Sequence, residues 1–293
     1  MTPVWRVRLL MLLVAGLILL RPGFGESGQV ETAPGADLEI LLVVDRTTSM
    51  SALDFAGVRS RMEGVREDLD EIVAALPNSR FAMVTFGRNA QLEVPFTSDA
   101  EPVFAAIDRL AREPLLAGTG SRVDRPLDLM TDVLRRAAQS HPDRRQVVVF
   151  ASDGEITVAR PPQRSFAKVA AFVDGGAVFG YGTTTGGLMP TGGAPPWTFV
   201  RDPATRQDAR SRLDETNLRG IADQLEISYA HRTAPGGLDD WAANLRGGDG
   251  IPDREGAAKY QLYWMLALLL FGLGLAHLRF DWLALLEARR ALA

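Results

Sequence analysis

The apolar positions of this chain follow two periods in turn. Residues 38–44 form a nearly continuous apolar run, Leu-Glu-Ile-Leu-Leu-Val-Val, as in a strand buried on both faces. Phe55, Val58, Met62, Val65, Leu69, Ile72 and Val73 then recur at helical spacing. They predict a helix over 54–76, stopped by Pro77-Asn78. Strands are expected at 80–86, 146–152, 177–181 and 227–231. A shorter one at 92–96 reads as an antiparallel edge. Helices are expected at 100–111, 125–138, 165–173 and 213–225. Strands alternating with helices predict an α/β fold, a doubly wound, mostly parallel sheet covered on both faces.

Two stretches interrupt the alternation. Residues 182–211 open with Gly-Thr-Thr-Thr-Gly-Gly and continue through Pro195-Pro196. This is a long loop, with a hairpin expected between 197–200 and 209–213 around Asp202-Pro203. Residues 236–255 are rich in Gly and Asp and read as a linker.

Both ends carry apolar runs. Arg6 and Arg8 precede 9–20, and Arg21-Pro22-Gly23 ends it. The run is shorter than the ~20 residues of a full span. It reads as a signal anchor or a signal peptide. Residues 260–278 carry no Asp, Glu, Lys or Arg, and Tyr260, Tyr263 and Trp264 stand at one rim, as at a membrane interface. Arg279, Arg289 and Arg290 follow. The excess of positive charge places both tips in the cytoplasm and the region between them outside it. The expected layout is a cytoplasmic N-terminus (1–8), a signal anchor or signal peptide (9–25), a folded domain (37–232), a linker (233–258), a transmembrane helix (259–278) and a cytoplasmic tail (279–293).

The chain has 293 residues and a net charge of −4, with no Lys/Arg-rich block, so nucleic acid is not an expected partner. It has no Cys, which excludes disulfides, thiolate metal sites and Cys nucleophiles. The three histidines, His141, His231 and His277, are scattered, with none spaced as a zinc pair. There is no P-loop and no Gly-x-Ser-x-Gly elbow. An aspartyl phosphotransferase of the haloacid dehalogenase type needs a second acid two residues after the first. Thr47 holds that position.

What remains is a set of hard oxygen ligands. Asp45 follows the first strand, and the hydroxyls of Thr47 and Ser49 lie two and four residues on. Divalent cations such as Mg²⁺ take oxygen ligands of this kind. Asp153, in Ala151-Ser152-Asp153-Gly154-Glu155, ends another strand. Ligands of a doubly wound sheet bind beyond the carboxyl ends of its strands. If the two strands are neighbours, both carboxylates meet at one rim. Between them, the Gly-rich loop 117–126 enters a helix and offers one more hydroxyl.

Asp-x-Thr-x-Ser, a Gly-Thr/Ser loop and a strand ending Ser-Asp-Gly-Glu together resemble the von Willebrand factor A (VWA) family, over about 37–232. The resemblance implies a metal-ion-dependent adhesion site. Its ligands would be Asp45, Thr47, Ser49, Ser121 and Asp153, with Thr119 as the alternative to Ser121. Mg²⁺ is the implied ion, with Mn²⁺ or Ca²⁺ as alternatives, and a partner Asp or Glu would fill the open position. Arg21-Pro22, the tract 211–218 with Ile221-Ala222, and the closing span resemble the narrower group of BatA/BatB-like bacterial membrane proteins. That resemblance implies a non-enzymatic binding module in the cell membrane. It also implies a second role, as an assembly or chaperone-like component working with a MoxR-type AAA+ ATPase or related VWA membrane proteins.

Overall fold

The computed structural model describes residue 14 and residues 35–115, 120–158, 160–247 and 263–291. The expected N-terminal segment 9–25 lies outside these residues, apart from Val14. The chain divides into two compact units, residues 32–252 and residues 1–31 with 253–293.

The larger unit holds a six-stranded sheet. Its strands are β1 (Leu38–Asp45), β2 (Arg80–Phe86), β3 (Ala90–Thr97), β4 (Arg145–Ser152), β5 (Gly175–Tyr181) and β8 (Ser228–Arg232), in the order β3-β2-β1-β4-β5-β8. All neighbours are parallel except β2 and β3. β3 is therefore the antiparallel edge that its sequence predicts, with Leu92 exposed and Val94 buried. The helices are α1 (Arg61–Ala75), α2 (Glu101–Asp108), α3 (Leu127–Ser140), α4 (Ala167–Ala170), α5 (Glu215–Leu225) and α6 (Asp239–Gly247).

β1 is fully buried and its side chains alternate between two cores. Ile40, Leu42 and Val44 face α1, α2 and α6, packing with Val65, Leu69, Ile107 and Ala242. Leu41 and Val43 face α3, α4 and α5, packing with Met130, Leu134, Val169 and Ile221. This two-sided burial is why β1 reads as a continuous apolar run rather than an alternating one.

Three expectations are corrected. The first helix begins at Arg61, not at residue 54. Ser60 caps it in a reciprocal capping box with Glu63, and the preceding residues form a turn in which Phe55 and Arg59 pair through their backbones. Residues 236–255, read as a linker, contain α6. Leu238, just before it, and its own Ala242 and Leu245 are buried against the core, at i, i+4 and i+7. The 182–211 stretch is laced by backbone pairing. β6 (Gly187–Leu188) pairs with β7 (Arg210–Ser211), and further pairs run through Pro190 with Phe199 and Arg201 with Asp208. The hairpin around Asp202 is present, and its first arm also hydrogen-bonds back to 189–191.

In the smaller unit, α7 (Tyr263–Ala291) is one helix of 29 residues, about 43 Å long. It runs past residue 278, where the sequence suggested a separate tail. Among the described residues, no helix is long and apolar enough to cross a membrane. The expected span 259–278 begins in residues outside the described set.

Gly176 offers a test of the sheet. Its φ is +138°, and a Cβ built there would lie 1.9 Å from the Val148 carbonyl oxygen, its β4 neighbour. Gly176→Ala is expected to cost about 3 kcal/mol or more. Urea denaturation checks this; an unchanged midpoint would refute the register.

Candidate metal centre

The sheet order places β1 beside β4, and this pair is the topological switch point: the chain winds outward from β1 to β3, then returns to β4 on the other side. Val44 pairs with Ala151, so Asp45 and Asp153 emerge at the same rim. The neighbourhood that the sequence left conditional is therefore present.

Asp45 is buried, and each of its oxygens accepts hydrogen bonds. Oδ1 accepts from the Thr47 amide (2.8 Å) and the Thr47 hydroxyl (2.6 Å). Oδ2 accepts from the Ser152 hydroxyl (2.7 Å). The Thr47 and Ser49 hydroxyls stand 2.8 Å apart. Thr47 is followed by a single 3₁₀ turn, Thr48–Ser51, which brings Ser49 back over Asp45. Burial, and then the nearby charge of Asp153, push the Asp45 carboxyl up to about 7 against these hydrogen bonds.

Asp153 is fully buried too, but it has a counter-charge. Arg61, at the start of α1, is itself 0% exposed. Its Nη1 donates to Asp153 Oδ2 at 2.7 Å, while Nε and Nη2 clamp Asp54 at 2.8 and 2.9 Å. Burial works against the Arg61 charge, yet its bonds to Asp54 and the charge of Asp153 hold its pKa above the usual value. Arg61 Nη1 and Nη2 also reach the Ser211 hydroxyl (2.8 Å) and carbonyl (2.9 Å). Ser211 Oγ donates to Glu155 at 2.5 Å, and burial raises the Glu155 carboxyl. Glu155 begins no helix; it joins this buried network. Gly154 turns the chain between them with φ +72°, and a Cβ there would meet the Asp214 carbonyl at 2.7 Å.

Ser121 lies on the loop entering α3. Its amide donates to Thr157 Oγ1 (2.7 Å), and the Thr157 amide returns a bond to the Ser121 carbonyl (3.2 Å). Thr119, the alternative, lies outside the described residues. Ser49, Ser121 and Glu155 line one cleft of about 720 Å³. Its far wall is the 187–211 insertion, through Met189, Phe199 and Arg210.

Four residues of this centre escaped the sequence reading: Asp54, Arg61, Thr183 and Ser211. Thr183 bonds Asp54 Oδ2 through its amide (2.9 Å) and hydroxyl (3.0 Å). Ser60-x-x-Glu63 was the available signal, because it fixes the helix start and so puts Arg61 at the sheet rim. Among the described residues, no group of three or more His, Cys, Asp or Glu is placed to hold a metal. The donor set is two carboxylates with hydroxyls. All its donor atoms are oxygens, and among the described residues Asp45 has no cationic partner, so these residues fit a hard divalent cation.

The loop carrying Ser121 is anchored by Asp124. Its carboxylate takes two bonds from Arg122 (3.0 and 2.7 Å) and one from the Arg164 amide (2.8 Å). Burial opposes the charge, but these bonds hold its pKa below the ordinary carboxylate value. Asp124 therefore stabilises the fold above the unfolded pKa of ~4, and this is lost as pH falls through the lower folded value. Asp124→Asn is expected to cost about 1–2 kcal/mol at pH 7, with the gap to wild type closing in acid. Thermal melts from pH 7 to 3 check this; a gap independent of pH would refute it.

Comparison with known proteins agrees with the fold. Residues 40–155 match the family model of the von Willebrand factor type A domain. Among solved structures, BatB from Bacteroides thetaiotaomicron superposes with a TM-score of 0.60 at 20% identity, over 72% of this chain and 98% of that one. An aerotolerance-related membrane protein from Bacteroides fragilis gives 0.57 at 20% identity, over 72% and 97%. These likenesses establish a shared fold. No curated protein matches the chain.

Proposed function

We propose that this chain, which carries a von Willebrand factor type A domain, uses it to bind a divalent cation and, through it, an acidic group of a protein partner. Asp45 and Asp153 would supply charge, and Thr47, Ser49 and Ser121 (or Thr119) neutral oxygens. Mg²⁺ is the preferred ion, with Mn²⁺ or Ca²⁺ as alternatives. The bound ion would supply a Lewis-acidic position open to a carboxylate. The observation that carries the reading is the contrast between the two acids. Asp153 is paired with Arg61, a guanidinium that it shares with Asp54, whereas among the described residues Asp45 is bonded only by hydroxyls and an amide. Binding, rather than catalysis, is the role proposed, because the donor set is one that holds a cation.

The wild-type chain is expected to gain about 2.7 kcal/mol of stability at a hundredfold Mg²⁺ excess over its dissociation constant. Asp45→Ala should abolish that gain. Thermal denaturation with and without Mg²⁺ measures it, and an equal rise in both proteins would defeat the reading.

We also propose that the chain is held in the cell membrane by segments 9–25 and 259–278, with the domain outside the cytoplasm. The apolar runs and flanking arginines support this. So does the stripe of exposed Phe271, Leu275, Leu278 and Trp282 along α7, at i, i+4, i+7 and i+11. The Bacteroides fragilis relative is itself described as a membrane protein. Because the chain lacks Cys, Ala204→Cys on the exposed hairpin gives a unique label site. A membrane-impermeant maleimide should label it in intact cells. Labelling only after lysis would overturn the topology.

A further inference from the structure

A second groove, of about 570 Å³, lies across the turn that carries Ser49. Thr48 and Ser49 line the metal-centre cleft, while Ser51 and Leu53 line this groove. On the insertion, Thr191 faces the cleft and its neighbour Pro190 faces the groove. The two hollows thus share a rim.

The groove is basic in a chain whose net charge is −4. Three half-buried arginines line it: Arg59, Arg66 and Arg112. Arg59 is paired with Glu67. Arg66 donates to the Leu110 carbonyl (3.3 Å), and Arg112 to the carbonyls of Glu113 (3.0 Å) and Thr191 (2.8 Å). Among the described residues, neither has a carboxylate within ion-pair distance. Glu63 also lines the groove, but its carboxylate is engaged by the Ser60 amide and hydroxyl. Beside the arginines stand Trp197 and Val58, the latter 70% exposed. The charges of Glu63 and Asp70 already act on Arg66, whereas Arg112 has only carbonyl partners among the described residues. A partly desolvated guanidinium so placed gains most from an anion, and a carboxylate can take two of its N–H groups at once.

We propose that this groove binds an acidic, partly apolar protein segment, the stretch flanking the carboxylate directed at the Asp45 centre. Its acids meet Arg66 and Arg112, and an apolar side chain packs on Val58 and Trp197. The shared rim lets one extended segment enter both hollows. The proposal rests on the reading of the metal centre for its second anchor, whereas the groove's charge stands without it.

The test uses the full chain in detergent and a fluorescein-labelled peptide of repeated Glu-Glu-Leu, with repeated Gln-Gln-Leu as control. Anisotropy is read with Mg²⁺ and with chelator. The acidic peptide is expected to bind at least ~10-fold tighter than the control. Arg66→Gln with Arg112→Gln should remove about tenfold of that affinity in either condition. Arg112 also holds Thr191, so Arg66→Gln alone, which leaves the insertion untouched, should lose part of it. Arginine-dependent binding that survives in Asp45→Ala supports the groove even where the metal reading falls. Equal binding by wild type and both arginine variants would overturn the proposal. So would anionic phospholipid vesicles that displace the peptide and bind in the same arginine-dependent way.

Discussion

Arg61 closes a charge problem that the rest of the domain creates. The carboxyl ends of β1 and β4 bring Asp45 and Asp153 to one buried rim, and Asp54 and Glu155 crowd the same region. Buried carboxylates without a cation are costly to desolvate. One guanidinium, wholly buried, satisfies Asp54 and Asp153 together and spends its remaining donors on Ser211. Removing one partner of such a pair typically costs ~3–5 kcal/mol, because the other is left charged and unpaired. The rim, the first helix and the insertion are thereby tied through one side chain.

The sheet order explains why this arrangement arises at this rim. With β1 central and the chain winding to opposite sides of it, loops leaving β1 and β4 diverge and open a crevice between them. The 3₁₀ turn after β1 and the Gly154 turn after β4 floor that crevice with short polar side chains. The 187–211 insertion roofs it, held down where the Leu53 amide donates to the Leu188 carbonyl and where Arg61 grips Ser211.

The sheet was legible because burial on both faces leaves little choice of residue: β1, β2 and β4 are apolar almost throughout. The positions of Asp45, Thr47, Ser49 and Asp153 just at or beyond the ends of β1 and β4 were legible because they sit within two short tracts, where local spacing decides their placement. What escaped depends on contacts distant in sequence. Phe55 and Val58 fit a helical period with Met62. In the structure, Phe55 lies on a turn with its ring under Gly64, and Val58 is exposed. The capping box at Ser60 and Glu63 outweighs that apparent period. Around α6, Gly and Asp residues masked Leu238, Ala242 and Leu245, a short helical stripe that only the finished core rewards. The insertion offered no apolar period at all, since its order comes from backbone pairing and from Arg61.

The centre's asymmetry follows from these same constraints. A protein that needed only to bury two carboxylates could hold them on an arginine, as Asp153 and Asp54 are both held on Arg61. Asp45 receives instead three neutral hydrogen bonds, too few to offset its desolvation beside Asp153, and its proton affinity rises accordingly. A carboxylate left in that condition is stabilised by any cation that can reach it, and the hydroxyls of Thr47 and Ser49 already point oxygens into the same space. Arg61 keeps the second acid in place, but its single charge is shared between Asp153 and Asp54, so carboxylate charge at this rim is left to meet an incoming divalent ion. A partner's carboxylate would reach such an ion through the open cleft lined by Ser49 and Ser121, at a position that the neutral hydroxyls leave free.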